Sequence, residues 1–307
     1  MDLSNANTEP YYRFHRFHEE FNRTMRIIVA GLWFVRQQRR SAGGPVQLPT
    51  DGEPFGKNLW NDPARGVFPA KRFIAQMGVV RVVTSLEDVC VGIKAECDRF
   101  AAISGKEIEV GVVDEDDAEG LSPKSLYARL GWKKDVLDSF EPLYEYFSKV
   151  RNCIVHRSSR ASTDLNKHAT SSQLLTCVDG SKGPRGRKLP ALPAITIGDE
   201  IALLPRHAIL ASEVCRRIAI DANEKLLEYL GEEGVVYMAA YHSLLCERPI
   251  ITSARNTPQA VLNYIATNRY RVRLGNRDEA VRILSQMGEW GSYLRRFERL
   301  RTQGRLG

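Results

Sequence analysis

The sequence predicts an all-α protein in which a helical bundle is followed by an appended, arginine-rich helical module. Before residue 232, apolar residues recur at steps of three and four in four long segments, the spacing of one helix face. Strand-like alternation is rare along the chain. With 307 residues and 43% hydrophobic content, the chain can bury a sizeable core. We therefore expect a helical bundle in residues 1–232, with loop insertions, and a basic helical module in residues 233–307.

The first two long helices are predicted on either side of a loop. Residues 11–40 should form a helix whose buried stripe consists of Phe14, Phe17, Phe21, Met25, Ile28, Leu32 and Val35. Repeated glycine and proline then predict a loop at 41–66, either a substrate-gating segment or tolerated surface. A second helix, 69–103, should end at Gly105. Its buried stripe consists of Phe73, Met77, Val80, Val83, Leu86, Cys90, Ile93, Cys97 and Phe100.

The middle of the chain carries two further helix signals. A serine followed by a proline at the first helical position predicts a short helix over 123–130. Because proline is tolerated only in the first turn of a helix, Pro142 indicates that the next helix starts near Ser139. That helix should continue to about Ser159.

Beyond this helix the pattern changes twice. The polar stretch 162–190 predicts a flexible insertion, and 194–204 predicts a small hairpin. Helical spacing then returns in a segment that Pro205 opens and Gly231 closes.

The C-terminal region carries the excess positive charge. From Arg248 onward there are twelve arginines, no lysine and four acidic residues, a net charge of +8, whereas the whole chain is +7 and residues 1–247 sum to −1. Capping signals at Thr257 and Asn276 predict two or three short helices. Arginine binds phosphate in a bidentate manner and stacks on bases, so we predict contact with nucleic acid or an acidic partner. The alternative is a solvated helix face whose arginines pair with nearby acids.

Several classes of protein are disfavoured by composition. The first residues lack the basic and apolar regions of a signal peptide, and no apolar segment reaches the length of a membrane helix. We expect a soluble cytoplasmic protein that does not contact a membrane. The six cysteines show no zinc or disulfide spacing, and His15 with His18 offers too few ligands for a metal. Neither a metal nor a cofactor is predicted.

The segment "EYFSKVRNCIVHRSSRAS", residues 145–162, places polar residues on a predicted helix. At about 100° per residue, Arg151, Asn152 and His156 lie within an arc of about 140°. The opposite, inward stripe consists of Leu143, Phe147, Val150 and Ile154. The outward arc also holds Glu141, Tyr144, Glu145, Ser148, Val155 and Ser159. This phase excludes a core histidine and leaves two alternatives: a solvated polar face, or a site exposed in a groove or across a subunit interface.

The hexapeptide Arg151-Asn-Cys-Ile-Val-His156 resembles the motif of HEPN (higher eukaryotes and prokaryotes nucleotide-binding) domains, in the R-N-x-x-V-H form. Residues 11–232 would cover the family's helical bundle. The resemblance implies a metal-independent endoribonuclease that acts as a homodimer with a composite active site. It also implies an RNA substrate such as tRNA or mRNA, a role as a toxin or anti-phage effector, and an antitoxin or activating partner protein.

The residue types suit that chemistry. Cleavage by the neighbouring 2′-hydroxyl needs proton transfer and stabilisation of an extra negative charge at phosphorus. Histidine titrates near neutrality, so His156 would act as general base or acid. Arg151 would hold the scissile phosphate, and Asn152 would orient the phosphate or the imidazole.

Further arginines are candidates for binding RNA. They are Arg157, Arg160, Arg271, Arg273, Arg295 and Arg296. For the first two, a favourable interaction with the helix C-terminus is an equal alternative. Some HEPN toxins carry a tyrosine two residues after the histidine; Ser158 stands there, so regulation through that tyrosine is not expected.

Two other functions stay open at this point. An HEPN-like bundle can serve as a non-catalytic RNA- or protein-binding module in a defence or toxin–antitoxin system. Without the family, the chain would be a helical nucleic-acid-binding protein that depends on its basic tail.

Overall fold

The computed structural model describes residues 1–42, 66–107, 122–180, 188–250, 257–274 and 277–305. Within these ranges all regular secondary structure is helical, which confirms the predicted all-α class. The helices are α1 (Glu9–Ala42), α2 (Val67–Ser104), α3 (Pro123–Arg129), α4 (Asp135–His156), α5 (Thr163–Ala169), α6 (Ser172–Gly180), α7 (Pro205–Ala240), α8 (Pro258–Asn268), α9 (Arg277–Gln286) and α10 (Trp290–Thr302). A π-helical turn, Tyr241–Leu245, follows α7. None of the described helices combines the length and apolar composition that crossing a bilayer would require.

Several helix ends follow the local signals in the sequence. The Ser122 hydroxyl accepts a hydrogen bond from the Ser125 N–H at 3.2 Å and caps α3. Thr257 caps α8 in the same way, through the Ala260 N–H at 3.2 Å. Gly105 follows α2 with φ +68°, as a glycine stop requires. Two or three short C-terminal helices were predicted, and three are present, α8, α9 and α10. Asn276 and residues 43–65 of the predicted loop lie outside the described residues.

The bounds of α4 differ from the prediction at both ends. The helix starts at Asp135 and contains Pro142 in its interior, where the missing N–H costs one backbone hydrogen bond. Burial of Leu137 and Leu143 on either side of the proline offsets that loss. At the other end α4 stops at His156, because the residues that follow leave the right-handed helical region.

The predicted end of α7 is partly correct. Gly231 adopts φ 61° and ψ −169°, outside the helical region, but a second helical segment continues from it to Ala240. The glycine therefore produces a kink where the sequence predicted a stop.

Two predictions for residues 162–204 are wrong. Much of the supposed flexible insertion is helical, because the Ser162 hydroxyl caps α5 by accepting from the Leu165 N–H at 3.0 Å and both Leu165 and Leu174 are buried. The hairpin at 194–204 is absent from the described residues. Residues of this stretch pair instead with residues 159–161, through an isolated antiparallel bridge between Arg160 and Glu200.

The chain divides into two compact units. The first unit consists of Met1–His15, Leu86–Leu137 and Ile218–Gly307, and the second unit of Arg16–Ser85 and Asp138–Arg217. Helices α1, α2, α4 and α7 contribute residues to both units. The predicted boundary between residues 232 and 233 stays a prediction.

In the first unit, the N-terminal segment and the C-terminal helices are tied to the long helices. The Asn223 side chain accepts from the Thr8 N–H at 2.8 Å and donates to the Ala6 carbonyl at 3.1 Å. Helices α8, α9 and α10 pack on one another, and α8 and α10 also pack on the π-helical turn. The core they share includes Tyr293 and Phe297, both fully buried.

In the second unit, α1 and α2 lie side by side. The Arg81 guanidinium lies 5.5 Å from the centre of the Phe17 ring. A Cβ at Gly78 would lie 3.3 Å from the Phe21 ring, so this glycine permits a close approach. The predicted stripe of α2 is wrong at its start: Phe73 and Met77 are exposed, because no described element covers the outer side of this helix end.

Candidate active site at the end of α4

The last turns of α4 present the predicted polar residues at the surface of the second unit. Asn152 and His156 are exposed, and Val155 between them is 52% exposed. Arg151 is half-buried, with its Nε atom fully enclosed. Ile154, on the opposite face, is buried. The prediction that His156 is not a core histidine is therefore confirmed.

Helices α5 and α6 pack against the side of α4 next to this polar face. His168 Nε2 lies 2.8 Å from the Pro142 carbonyl, and the Cys177 thiol lies 3.3 Å from the Ser139 carbonyl. Lys149 forms an ion pair with Asp164 at 2.7 Å. Asn152, Val155 and His156, at the end of α4, are exposed beyond these contacts.

The expectation that Tyr144 faces outward is wrong, since its side chain is buried. Helical phase places Tyr144 on the outward arc, but phase within one helix does not report which other parts of the chain pack against it.

The chain that leaves the motif is held in a constrained backbone. Ser158 and Ser159 have φ values of 50° and 65°, a left-handed conformation that is unfavourable for residues other than glycine. The Ser159 N–H donates to the Cys153 carbonyl at 3.0 Å and closes the helix end. Two consecutive strained residues directly after a candidate catalytic histidine indicate a geometry that the rest of the unit enforces.

Residues 198–201 supply that enforcement. The Ala161 N–H donates to the Asp199 carbonyl at 2.9 Å, and the Ile201 N–H donates to the Ser159 carbonyl at 3.0 Å. The Arg160 guanidinium donates to the Gly198 carbonyl at 3.0 Å. This pairing fixes the position of the segment that follows His156.

Sequence reasoning missed a contact between this segment and α2. Glu200, which pairs with Arg160 in the isolated bridge, is hydrogen-bonded to Arg72. Arg72 also lies over the Phe68 ring, 5.3 Å from its centre. The stretch "GDE" at 198–200 signalled a turn, but nothing local in the sequence indicates its partner on α2.

The predicted RNA-binding arginines fall into two groups. Arg157 and Arg160 follow the motif in the second unit and are exposed. The other four belong to the first unit: Arg271 and Arg273 are exposed after α8, Arg295 contacts the Ser292 hydroxyl at 3.1 Å, and Arg296 donates to the Leu244 carbonyl at 3.3 Å. The structure brings the first group together with the motif on one short stretch of chain.

Comparisons of this chain with protein-family models, with curated proteins and with solved structures find no match. The chemistry of the site has to be argued from its residues. Among the described residues, no three His, Cys, Asp or Glu side chains are grouped so as to hold a metal ion. The side chains that α4 does present are an imidazole, a guanidinium and an amide, which bind phosphate and transfer protons.

Proposed function

We propose that this chain is an endoribonuclease of the HEPN type, which cleaves RNA by attack of the neighbouring 2′-hydroxyl without a catalytic metal ion. One observation carries the proposal: the arginine, the asparagine and the histidine of the motif lie together on the exposed end of one helix. A phosphate approaching that end would meet a guanidinium, an amide and an imidazole that can accept or donate a proton.

The reaction needs two proton transfers. The 2′-oxygen forms a bond to phosphorus while the bond from phosphorus to the 5′-oxygen breaks, leaving a 2′,3′-cyclic phosphate and a 5′-hydroxyl. A base takes the proton from the 2′-hydroxyl, and an acid gives a proton to the departing 5′-oxygen. One imidazole can perform only one of these roles at a given moment, so two copies of His156, from the two subunits of a homodimer, would perform both.

Arg151 would stabilise the additional negative charge on the phosphorane. Because its stem is partly enclosed, fewer side-chain conformations have to be lost when phosphate binds. Asn152, one residue further on the exposed side, would hold a phosphate oxygen or the imidazole by hydrogen bonds.

Two features of the surrounding structure support a partner at this face. Val155 lies exposed between Asn152 and His156, an unfavourable place for an apolar side chain unless another surface covers it. The backbone at Ser158 and Ser159 is strained, and strained backbone is found more often at functional sites than elsewhere on a protein surface.

The proposal is tested with the purified full-length chain, its His156→Ala variant and its Arg151→Ala variant on a mixed RNA pool. Loss of general acid–base catalysis should slow cleavage by about 10²–10⁴-fold in His156→Ala, with an unchanged circular dichroism spectrum. Mass spectrometry of the products should show 2′,3′-cyclic phosphate and 5′-hydroxyl ends. Lys167→Ala, an exposed lysine on α5, is the control and should cleave normally. Cleavage by His156→Ala at the wild-type rate would rule the mechanism out.

A role as a toxin or anti-phage effector belongs to the same proposal. An active ribonuclease threatens the RNA of its own cell, so an antitoxin or an activating partner is expected. Expression of the wild-type chain should arrest growth, whereas His156→Ala should not. If the wild-type chain binds RNA at high concentration and leaves it intact, the non-catalytic binding module becomes the better description.

A further inference from the structure

The ends of α1 and α2 that flank residues 43–65 in the sequence are rich in cationic residues and belong to the second unit. Residues 21–38 and 67–85 contain six basic residues and no aspartate or glutamate. The basic residues are Arg23, Arg26, Arg36, Lys71, Arg72 and Arg81. A charge summed over residues 1–247 hides this region, because acidic residues elsewhere cancel it.

The same helix ends expose large aromatic side chains. Trp33 and Phe34 of α1 are 58% and 56% exposed, and Phe68 and Phe73 of α2 are 57% and 61% exposed. A single exposed aromatic residue is ordinary, but these two helix segments together offer four exposed rings to a ligand.

The two helices run antiparallel, which sets these two helix segments side by side. Phe17 lies against Arg81, and Phe21 lies against Gly78. Continued at the same register, residues 27–32 of α1 lie beside residues 67–72 of α2. Successive residues of a helix are rotated by about 100°, and at that spacing the exposed face of α1 spans an arc of about 120°. That face comprises Arg23, Arg26, Ile27, Trp33 and Phe34.

This region is joined to the candidate active site. Arg72 bonds Glu200, and Glu200 pairs through its backbone with Arg160, which lies four residues after His156. All of these residues belong to the second unit. A polymer bound along α2 could therefore continue to the end of α4.

We propose that the cationic aromatic ends of α1 and α2 bind an unpaired strand of RNA, with bases stacked on the aromatic rings and phosphates held by the arginines. Planar guanidinium and aromatic groups already alternate here, as Arg72 over Phe68 shows. Stacking of this kind needs bases that are free of a duplex, and it tolerates any sequence. The inference rests on the proposed function only in taking RNA as the ligand that reaches His156.

An anionic membrane surface is the other ligand that cations and aromatic rings would suit. The structure favours RNA, because guanidinium groups interrupt the apolar residues of α1 and because the region adjoins a site built for phosphate. Membrane binding is kept as an outcome of the test.

The experiment uses the full-length chain in a His156→Ala background, so that RNA stays intact while binding is measured. Fluorescence anisotropy with a labelled single strand of about 12 nucleotides, and with the same strand in a duplex, gives the two dissociation constants. Trp33→Ala and Phe73→Ala should each weaken single-strand binding by about fivefold or more and leave duplex binding unchanged. Trp33→Phe keeps a ring and should restore most of the affinity.

Leu175→Ala is the matched control, because this α6 side chain in the second unit is equally exposed. It should bind like the parent. If wild-type protein cleaves nothing but the aromatic variants lose single-strand binding, the inference stands and the proposed function fails. If wild-type protein cleaves RNA and the aromatic variants bind and cleave normally, the inference fails alone. Binding to phosphatidylglycerol vesicles without binding to RNA would also overturn it.

Discussion

Two arginine-rich regions of this chain have opposite surroundings. In the C-terminal region, Arg269 pairs with the buried Glu9, while Arg282 pairs with Glu279 at 3.9 Å and Arg301 with Glu298 at 2.7 Å. At the ends of α1 and α2, the helix segments themselves hold no acidic residue, although Arg72 pairs with Glu200 from another part of the second unit. Net charge along the sequence singles out the first region. Local pairing makes the second region the more available to an anion.

The aromatic residues follow the same division. The C-terminal region buries Tyr270, Tyr293 and Phe297, so its rings stabilise the first unit. The α1 and α2 ends expose theirs. A guanidinium that neutralises a buried carboxylate is not free for phosphate, and a ring in the core cannot stack on a base. For the three paired arginines, the alternative of a helix face with acidic partners is the correct one; RNA contact by Arg271 and Arg273, which are exposed, stays a prediction.

The largest expected effect is on the free energy of unfolding, and it distinguishes the buried rings of the C-terminal region from the exposed rings of α1 and α2. Phe297→Ala should lower the free energy of unfolding by about 3–5 kcal/mol, because it leaves a cavity in the core of the first unit. Phe73→Ala should change it by about 0.5 kcal/mol or less, since the ring is in solvent. Urea denaturation followed by circular dichroism measures both. Similar losses in the two variants would remove the contrast between buried and exposed rings.

The next effect separates the two kinds of arginine. Glu9 is fully buried and is bonded by both Arg13 and Arg269. Arg269→Gln should lower the free energy of unfolding by about 2–3 kcal/mol. This is less than the loss expected for a buried carboxylate left without any partner, because Arg13 still pairs with Glu9. The exposed pair of Arg301 and Glu298 gives the control, and Arg301→Gln should cost about 0.5 kcal/mol or less.

A double variant makes the cause explicit. If the loss in Arg269→Gln comes from the uncompensated carboxylate, Glu9→Gln in the same chain should recover part of it. A double variant less stable than Arg269→Gln alone would show instead that packing of the guanidinium over Tyr12, 4.9 Å from the ring centre, is the main contribution.

Local signals in the sequence were sufficient for much of the fold. Hydrophobic spacing, a serine or threonine cap and a proline at the first helical position predicted α1, α2, α3 and α8, because these features act within one turn. The same rules failed where a distant segment decides the outcome. The polar stretch after Ser162 forms two helices because Leu165 and Leu174 are buried. Composition alone does not indicate that these two side chains are buried.

The candidate site shows the same limit. Helical phase correctly placed Asn152 and His156 at the surface, since phase depends only on the helix itself. It misplaced Tyr144, which is buried, and it could not reveal that Glu200 links the motif to Arg72. Charge summed over long windows also concealed the acid-free ends of α1 and α2, which windows of about half a helix show.

The two units should also respond to pH in opposite directions. In the second unit, burial lowers the pKa of His207 below its ordinary value of 6.5, and the charge of Arg206 lowers it further. Stability from this group is present above pH 6.5 and is lost as the pH falls through the lowered pKa. In the first unit, burial raises the pKa of Glu96 above 4.5, although a hydrogen bond from His242 opposes the shift. Stability from Glu96 is present below pH 4.5 and is lost as the pH rises through the raised pKa.

Two glutamine variants test these opposite pH dependences of stability. His207 Nδ1 accepts from the Leu204 N–H at 3.0 Å and Nε2 lies 3.0 Å from the Ala191 carbonyl, bonds that a glutamine can imitate without titrating. His207→Gln should therefore flatten the loss of unfolding free energy below pH 6.5. Glu96→Gln should flatten the loss above pH 4.5 instead. A slope that neither variant alters would assign the pH dependence to other groups.

The smallest expected effect is in the salt dependence of RNA binding, and it compares the two arginine regions directly. Each phosphate contact on a single strand contributes about 0.7 to the slope of log affinity against log salt, because binding releases that fraction of a counterion. Arg23→Gln and Arg26→Gln should each reduce the slope by about this amount in the His156→Ala background. Arg282→Gln and Arg301→Gln should leave it unchanged, since their guanidinium groups already face Glu279 and Glu298. Anisotropy titrations at several KCl concentrations give the slopes. A smaller slope in the C-terminal variants, but not in the α1 variants, would assign RNA binding to the C-terminal region instead. The slope depends on the counterions released when protein cations contact phosphates. An arginine that already pairs with a carboxylate is expected to contribute little to it.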